Sequence, residues 1–126
     1  MFTKPIHGWT TLQIEGYKFS ASYLTDVPND CIDAFYGLKN NRPTTIFFDD
    51  EGKECYLICD TYTSYVIYID DYNKTKVIEF NKGIKELAQE FINNIEENFE
   101  DWQLWECYHN ELLEIDLTEL KELLKV

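Results

Sequence analysis

His7 and His109 are the only histidines in the 126-residue chain, and so the side chains whose ordinary titration lies near neutral pH. General-base or metal-ligand chemistry is therefore sought there first. Cys107 precedes His109 by two positions. On a helix that spacing points the two side chains in different directions, so no thiol–imidazole nucleophile follows from it. Carboxylates cluster at Asp49, Asp50 and Glu51 and again at Asp70 and Asp71. Such clusters can hold Mg²⁺ or Ca²⁺, but neither has the alternating oxygen ligands and closing glutamate of a calcium loop, and solvated turn residues account for them better. The chain has no glycine-rich phosphate loop, Cys-x-x-Cys pair, His-Glu-x-x-His run or Gly-x-Ser-x-Gly elbow. The sequence thus assigns no catalytic, cofactor-binding or metal-binding residue, and the expectation is a protein that is not an enzyme. A small enzyme with a carboxylate metal site near Asp49, Asp50 and Asp70 is the weakest alternative.

Charge is more informative than motif. The chain carries 24 Asp and Glu against 11 Lys and Arg, a formal net charge of −13. That balance opposes binding to nucleic acid and to anionic membranes, both of which depend on Lys and Arg, and favours a basic protein partner. The acidity is uneven. Residues 94–126 hold ten acids and two lysines, a net of −8, whereas residues 1–93 hold 14 acids and nine bases, a net of −5. Phe99, Trp102, Trp105 and Tyr108 are interleaved with the C-terminal charge. Aromatic anchors ringed by charge are common at protein interfaces, so Glu96, Glu97, Glu100, Asp101, Trp102, Trp105 and Tyr108 form the candidate partner-binding set. The competing account is that the tryptophans pack the C-terminal region onto the sheet and the charge maintains solubility.

These residues need elements to position them. Residues 10–23 alternate as a strand pair around Glu15-Gly16, which sets Ile14 opposite Tyr17, Leu12 opposite Phe19 and Thr10 opposite Ala21. A short helix follows, with Asn29 or Asp30 as its cap and an apolar face of Cys31, Ile32, Ala34, Phe35 and Leu38. Four apolar runs, 44–48, 55–59, 65–69 and 76–80, are separated by turn-forming residues and read as an antiparallel meander. The first three runs are apolar on both alternating faces, which suggests strands near the sheet centre covered on both sides, while the fourth looks nearer an edge. If helices cover one face only, several of Tyr56, Tyr62, Tyr65, Tyr68 and Tyr72 lie exposed on the other. Ile84, Leu87, Ala88, Phe91, Ile92, Ile95 and Phe99 mark a long amphipathic helix near 83–98 that stops near Asn98. Asp101 would cap a second short helix, and Asp116 with Glu119 has capping-box spacing for a terminal helix from about Leu117.

The fold class expected is α+β. An antiparallel sheet of about six strands, comprising the N-terminal hairpin and the four-strand meander, is packed by the short helix and the long helix, with a helical C-terminal segment. Residues 1–126 form one domain, with 101–126 as a helical extension of it.

No apolar run approaches the roughly 20 residues of a membrane-spanning helix. The first eight residues lack a signal peptide's apolar core, so cytoplasmic residence and free thiols are expected for Cys31, Cys55, Cys59 and Cys107. Cys55 and Cys59 lie on one strand, roughly 13 Å apart, and cannot pair with each other.

In composition, small size and acidity the chain is similar in type to bacterial immunity proteins and other proteinaceous inhibitors. That similarity implies a cytosolic binding protein that neutralises or sequesters a basic partner such as a nuclease-type toxin. The alternative is a structural or assembly subunit, a homodimer joined through a Tyr-rich sheet face.

Overall fold

The structure, a computed structural model, describes residues 1–40, 42–105 and 114–125. Strands β1 (Trp9–Ile14) and β2 (Tyr17–Ser22) form a hairpin whose register sets Ile14 against Tyr17, Leu12 against Phe19 and Thr10 against Ala21, as the alternation predicts. Glu15 (φ 48°) and Gly16 (φ 86°) supply the two left-handed residues that a tight two-residue turn requires. Residues 1–6 extend the hairpin. Phe2 bridges Leu12, Thr3 N–H donates to the Thr11 carbonyl at 3.1 Å, and Ile6 bridges Trp9. The alternation pattern missed this segment, because Pro5 and the turn at His7-Gly8 interrupt it.

Helix α1 (Val27–Phe35) begins earlier than the sequence suggests. Its cap is Asp26, whose carboxylate accepts the Asn29 N–H at 3.5 Å and the Asn29 side-chain amide at 3.0 Å, and Pro28 occupies the first turn, where its missing N–H costs nothing. A 3-10 turn, Tyr36–Asn40, leads into the meander.

Strands β3 (Thr44–Asp49), β4 (Glu54–Cys59), β5 (Ser64–Ile69) and β6 (Thr75–Phe80) pair in sequential antiparallel order. They make a four-stranded sheet beside the two-stranded hairpin, six strands in all. The register alternates cleanly. Ile46, Phe48, Cys55, Leu57, Cys59, Ser64, Val66 and Phe80 point inward and are buried. The hairpin lies across this inner face, with Tyr17 packing edge-on to Phe80 at 5.7 Å and Phe19 against Tyr68 at 5.6 Å.

Helix α2 (Ile84–Glu97) buries Ile84, Leu87, Ala88, Phe91, Ile92 and Ile95 along one stripe, the face its spacing predicts, and ends at Asn98. Each of the buried Ile, Leu and Phe side chains contributes about 1.5–3 kcal/mol by leaving water. Gly83 at its start is a packing requirement: a Cβ there would lie 1.9 Å from the Thr61 carbonyl oxygen. Helix α3 (Phe99–Gln103) follows directly, preceded by Asn98 and not Asp101, and α4 (Glu114–Leu124) starts about three residues ahead of the expected Leu117. Trp102, Trp105, and Leu117 and Leu120 of α4 join the same core as α1, α2 and the inner sheet face. Phe2 lies at its centre, with its ring 5.7 Å from Phe48, 6.3 Å from Phe91 and 5.6 Å from Trp102.

Candidate functional site

The C-terminal set divides on inspection. Trp102 and Trp105 are 1% and 7% exposed and stack on each other at 5.6 Å, so in this structure their rings serve the core and are not offered to a partner. Glu96 is ion-paired with Lys121, and Asp101 lies 3.7 Å from the Lys4 ammonium. Glu97 and Glu100 are exposed. Tyr108, with Cys107 and His109, lies outside the described residues. Among the described residues the acidic C-terminal region therefore keeps Glu97 and Glu100 outside any ion pair, but its two tryptophans are taken up by the core.

A different surface comes together on the sheet. The twelve outward positions of β3 to β6 are Thr45, Phe47 and Asp49; Glu54, Tyr56 and Ile58; Tyr65, Ile67 and Ile69; and Thr75, Val77 and Glu79. Seven are aliphatic or aromatic, three are carboxylates, and none is basic. The register aligns Phe47, Tyr56, Ile67 and Val77 in one row across all four strands, flanked by the row Thr45, Ile58, Tyr65, Glu79 and the row Asp49, Glu54, Ile69, Thr75. None of the seven apolar side chains belongs to the described core, six are half-buried against their neighbours, and Val77 is 65% exposed. The expectation that the first three strands lie near the sheet centre and are covered on both faces is thus corrected, since β3 is an edge strand. The helices and the hairpin pack on the inner face, and the apolar residues opposite remain partly in water.

Local contacts stiffen this face. The Phe47 and Tyr56 rings lie 5.0 Å apart, and Tyr56 donates its hydroxyl proton to Glu54 at 3.1 Å, which with its local desolvation raises the phenol's pKa. The tyrosines that the sequence singles out are distributed by strand parity and by turns. Tyr56 and Tyr65 are on the outer face, Tyr68 is on the inner face, and Tyr62 and Tyr72 are at turn tips. Parity within each run is the signal that separates them, and it also brings in Phe47, Ile58, Ile67, Ile69 and Val77, which no motif marks.

The clustered carboxylates at the strand ends have structural duties. Asp49 accepts the Glu51 N–H at 2.7 Å, and Asp70 accepts the N–H groups of Tyr72 and Lys74 at 2.9 and 3.0 Å. These bonds are those of side chains closing their own turns. Among the described residues, no three His, Cys, Asp or Glu side chains gather as a metal ion would need, and no helix is long and apolar enough to cross a membrane.

A shallow groove of about 350 Å³ runs along the outer edge of the sheet, between α1 and β3, lined by Asp30, Asp33, Ala34, Thr45, Ile46 and Phe47. Partial burial, and then the nearby Asp26 and Asp33 carboxylates, push the Asp30 carboxyl up to about 6. Comparison with known proteins finds no matching family model, no matching curated protein and no matching solved structure. The geometry of the chain itself carries the functional reading.

Proposed function

We propose that this chain is a small acidic cytoplasmic binding protein that neutralises or sequesters a basic protein partner, in the manner of a toxin-immunity protein or other proteinaceous inhibitor. The observation that supports it most is the outer sheet face, seven apolar residues and three carboxylates without one base. Apolar and aromatic area supplies affinity once water is displaced, while carboxylates within it steer a cationic partner and set its orientation. A toxin acting on nucleic acid needs a basic surface, and such a surface is what this face complements.

A second copy is a poorer occupant for the same face. Two chains of charge −13 laid face to face would set carboxylates against carboxylates over an apolar layer. A homodimer remains the alternative reading of an uncovered Tyr-bearing surface. Sedimentation at high concentration separates the two, since a monomer is expected here.

Charge reversal locates the site. Asp49→Lys, Glu54→Lys and Glu79→Lys together should slow association with the basic protein that co-purifies from the host and flatten its salt dependence. Glu96→Lys, Glu97→Lys, Glu100→Lys and Asp101→Lys form the matched set on the C-terminal surface. If the sheet set leaves association unchanged and the C-terminal set slows it, the interface belongs to the acidic tail. If neither set changes the rate, the proposal fails.

A further inference from the structure

Every sheet that does not close on itself has two edges, and the hydrogen-bond phase shows which amides they leave open. The Asp50 N–H donates to the Lys53 carbonyl at 3.0 Å, and the Asp60 N–H donates to the Thr63 carbonyl at 2.9 Å. Bonded and non-bonded pairs alternate along an antiparallel ladder, so each turn independently sets the phase of its neighbours. Both give one answer. Thr44, Ile46 and Phe48 turn their main-chain groups to β4, while Thr45, Phe47 and Asp49 turn theirs away from the sheet. The Asp70 N–H to Lys74 carbonyl bond, 3.1 Å, phases the far side, where Thr75, Val77 and Glu79 face outward from β6.

The two edges differ in charge. Lys74 and Lys76 stand at β6, and the outward Glu79 is the acid there. Beside β3 lies the α1 groove, whose charged lining is Asp30 and Asp33, both exposed and in no ion pair among the described residues. Asp49 ends the strand, and Glu54 pairs with it on the outer face. Strand β3 ends the sheet with no bulge in its pairing and no proline within it, and among the described residues no further strand pairs with its outer side, although α1 and β2 pack close to it.

We infer that the open edge of β3, with the acidic flank of α1 beside it, is a strand-addition site for an extended basic segment of the partner. The added strand would bond to the outward amides and carbonyls of Thr45, Phe47 and Asp49. Its side chains on one side would continue the row that begins at Phe47, and its basic residues would meet Asp30 and Asp33 in the groove. The charge of the groove selects this occupant. A cation entering it relieves the mutual repulsion of the Asp26, Asp30 and Asp33 carboxylates, whereas the lysine-flanked edge at β6 repels the same segment. The inference rests on the proposed basic partner and specifies how that partner is held.

Thr45 allows a clean test because its N–H points away from β4, so Thr45→Pro removes an edge donor and spares the ladder. The probe is a synthetic peptide of about nine residues alternating lysine and valine, long enough to span the strand. At low salt, with amide exchange followed by NMR, the peptide should slow exchange at Thr45 and Phe47. Thr45→Pro should weaken binding about tenfold, while Thr45→Val, which keeps the N–H, should not. Should the proline variant fail to fold, the double variant Asp30→Asn with Asp33→Asn is expected to weaken binding at low salt and lose most of that difference at high salt. Three results overturn the inference: a peptide that does not bind, one that disturbs only Tyr56, Tyr65 and Val77 while Thr45→Pro binds as tightly as the parent, or concentration-dependent protection of Thr45 and Phe47 without peptide. The second leaves the outer-face function standing, and the third assigns the edge to another copy of the chain.

Discussion

The indole N–H of Trp105 donates to the main-chain carbonyl of Thr25 at 2.8 Å, across 80 positions of sequence. That bond ties the end of α3 to the loop between β2 and α1, and the stacked Trp102 ring beside it touches Phe2. Trp105→Phe keeps most of the apolar volume and deletes the donor. The expected loss is about 1–3 kcal/mol for a carbonyl left without its partner, and Trp102→Ala should cost about 3–5 kcal/mol as a core truncation. Urea unfolding followed by circular dichroism measures both. Folded Trp105→Phe should bind the partner as the parent does; a selective loss of binding would return the interface to the C-terminal aromatics.

The Asp30 carboxyl gives a pH dependence with a definite sign. Its pKa rises from 3.8 to about 6 in the fold, first through burial and then through Asp26 and Asp33. The fold therefore prefers it protonated, and the contribution it makes below pH 3.8 is lost as pH climbs through about 6. Asp30→Asn should raise the thermal midpoint at pH 7 relative to the parent. The gap should shrink as pH falls toward 4, and a pH-independent gap would mean that the stabilisation has another origin.

At Gly83 the constraint is steric, since its φ of −85° suits any residue. A methyl group there collides with the Thr61 carbonyl, next to the 2.8 Å bond from Ile84 N–H to the Asp60 carbonyl that seats α2 on the β4–β5 turn. Gly83→Ala should destabilise the domain by about 1–3 kcal/mol through forced backbone shifts. Equal stability in denaturant would show that the turn moves aside freely.

Burial makes three thiols inert. Cys31, Cys55 and Cys59 are free and buried, and desolvation pushes Cys55 and Cys59 up to about 12 and raises Cys31 well above the ordinary thiol value. An aromatic disulfide reagent at pH 8 should leave all three unmodified in the native protein and modify them in urea, as peptide mass spectrometry would read. Labelling of Cys55 or Cys59 without denaturant would indicate that the sheet opens locally.

Much of the fold was legible in residue order because it depends on local periodicity. The hairpin register followed from Glu15-Gly16, and α2 followed from the spacing between Ile84 and Ile95. Boundaries set by distant or competing contacts were less visible. Asp26 takes the cap that Asn29 and Asp30 equally suggest, and the insertion of Phe2 among Phe48, Phe91 and Trp102 has no local signature. The outer-face surface was hidden from the sequence for a related reason. Charge density along the chain pointed past Asn94, but the tryptophans there turn inward, whereas the outer face draws single residues from four strands and emerges only when the register aligns them. Apolar residues on both faces of β3 to β5 predicted cover on both sides, and the helices supply it on one.

The placement of Asp49, Glu54 and Glu79 on that face bears on how the chain behaves at high concentration. Thr44–Asp49 and Ser64–Ile69 combine strong strand propensity with an absence of proline and glycine, the composition of segments that assemble into fibrils. The three carboxylates act as gatekeepers against that outcome while they are ionised. Near the isoelectric point of about 4.4 the chain's net charge no longer holds copies apart, and the outer sheet face becomes a nucleus for aggregation on acidification.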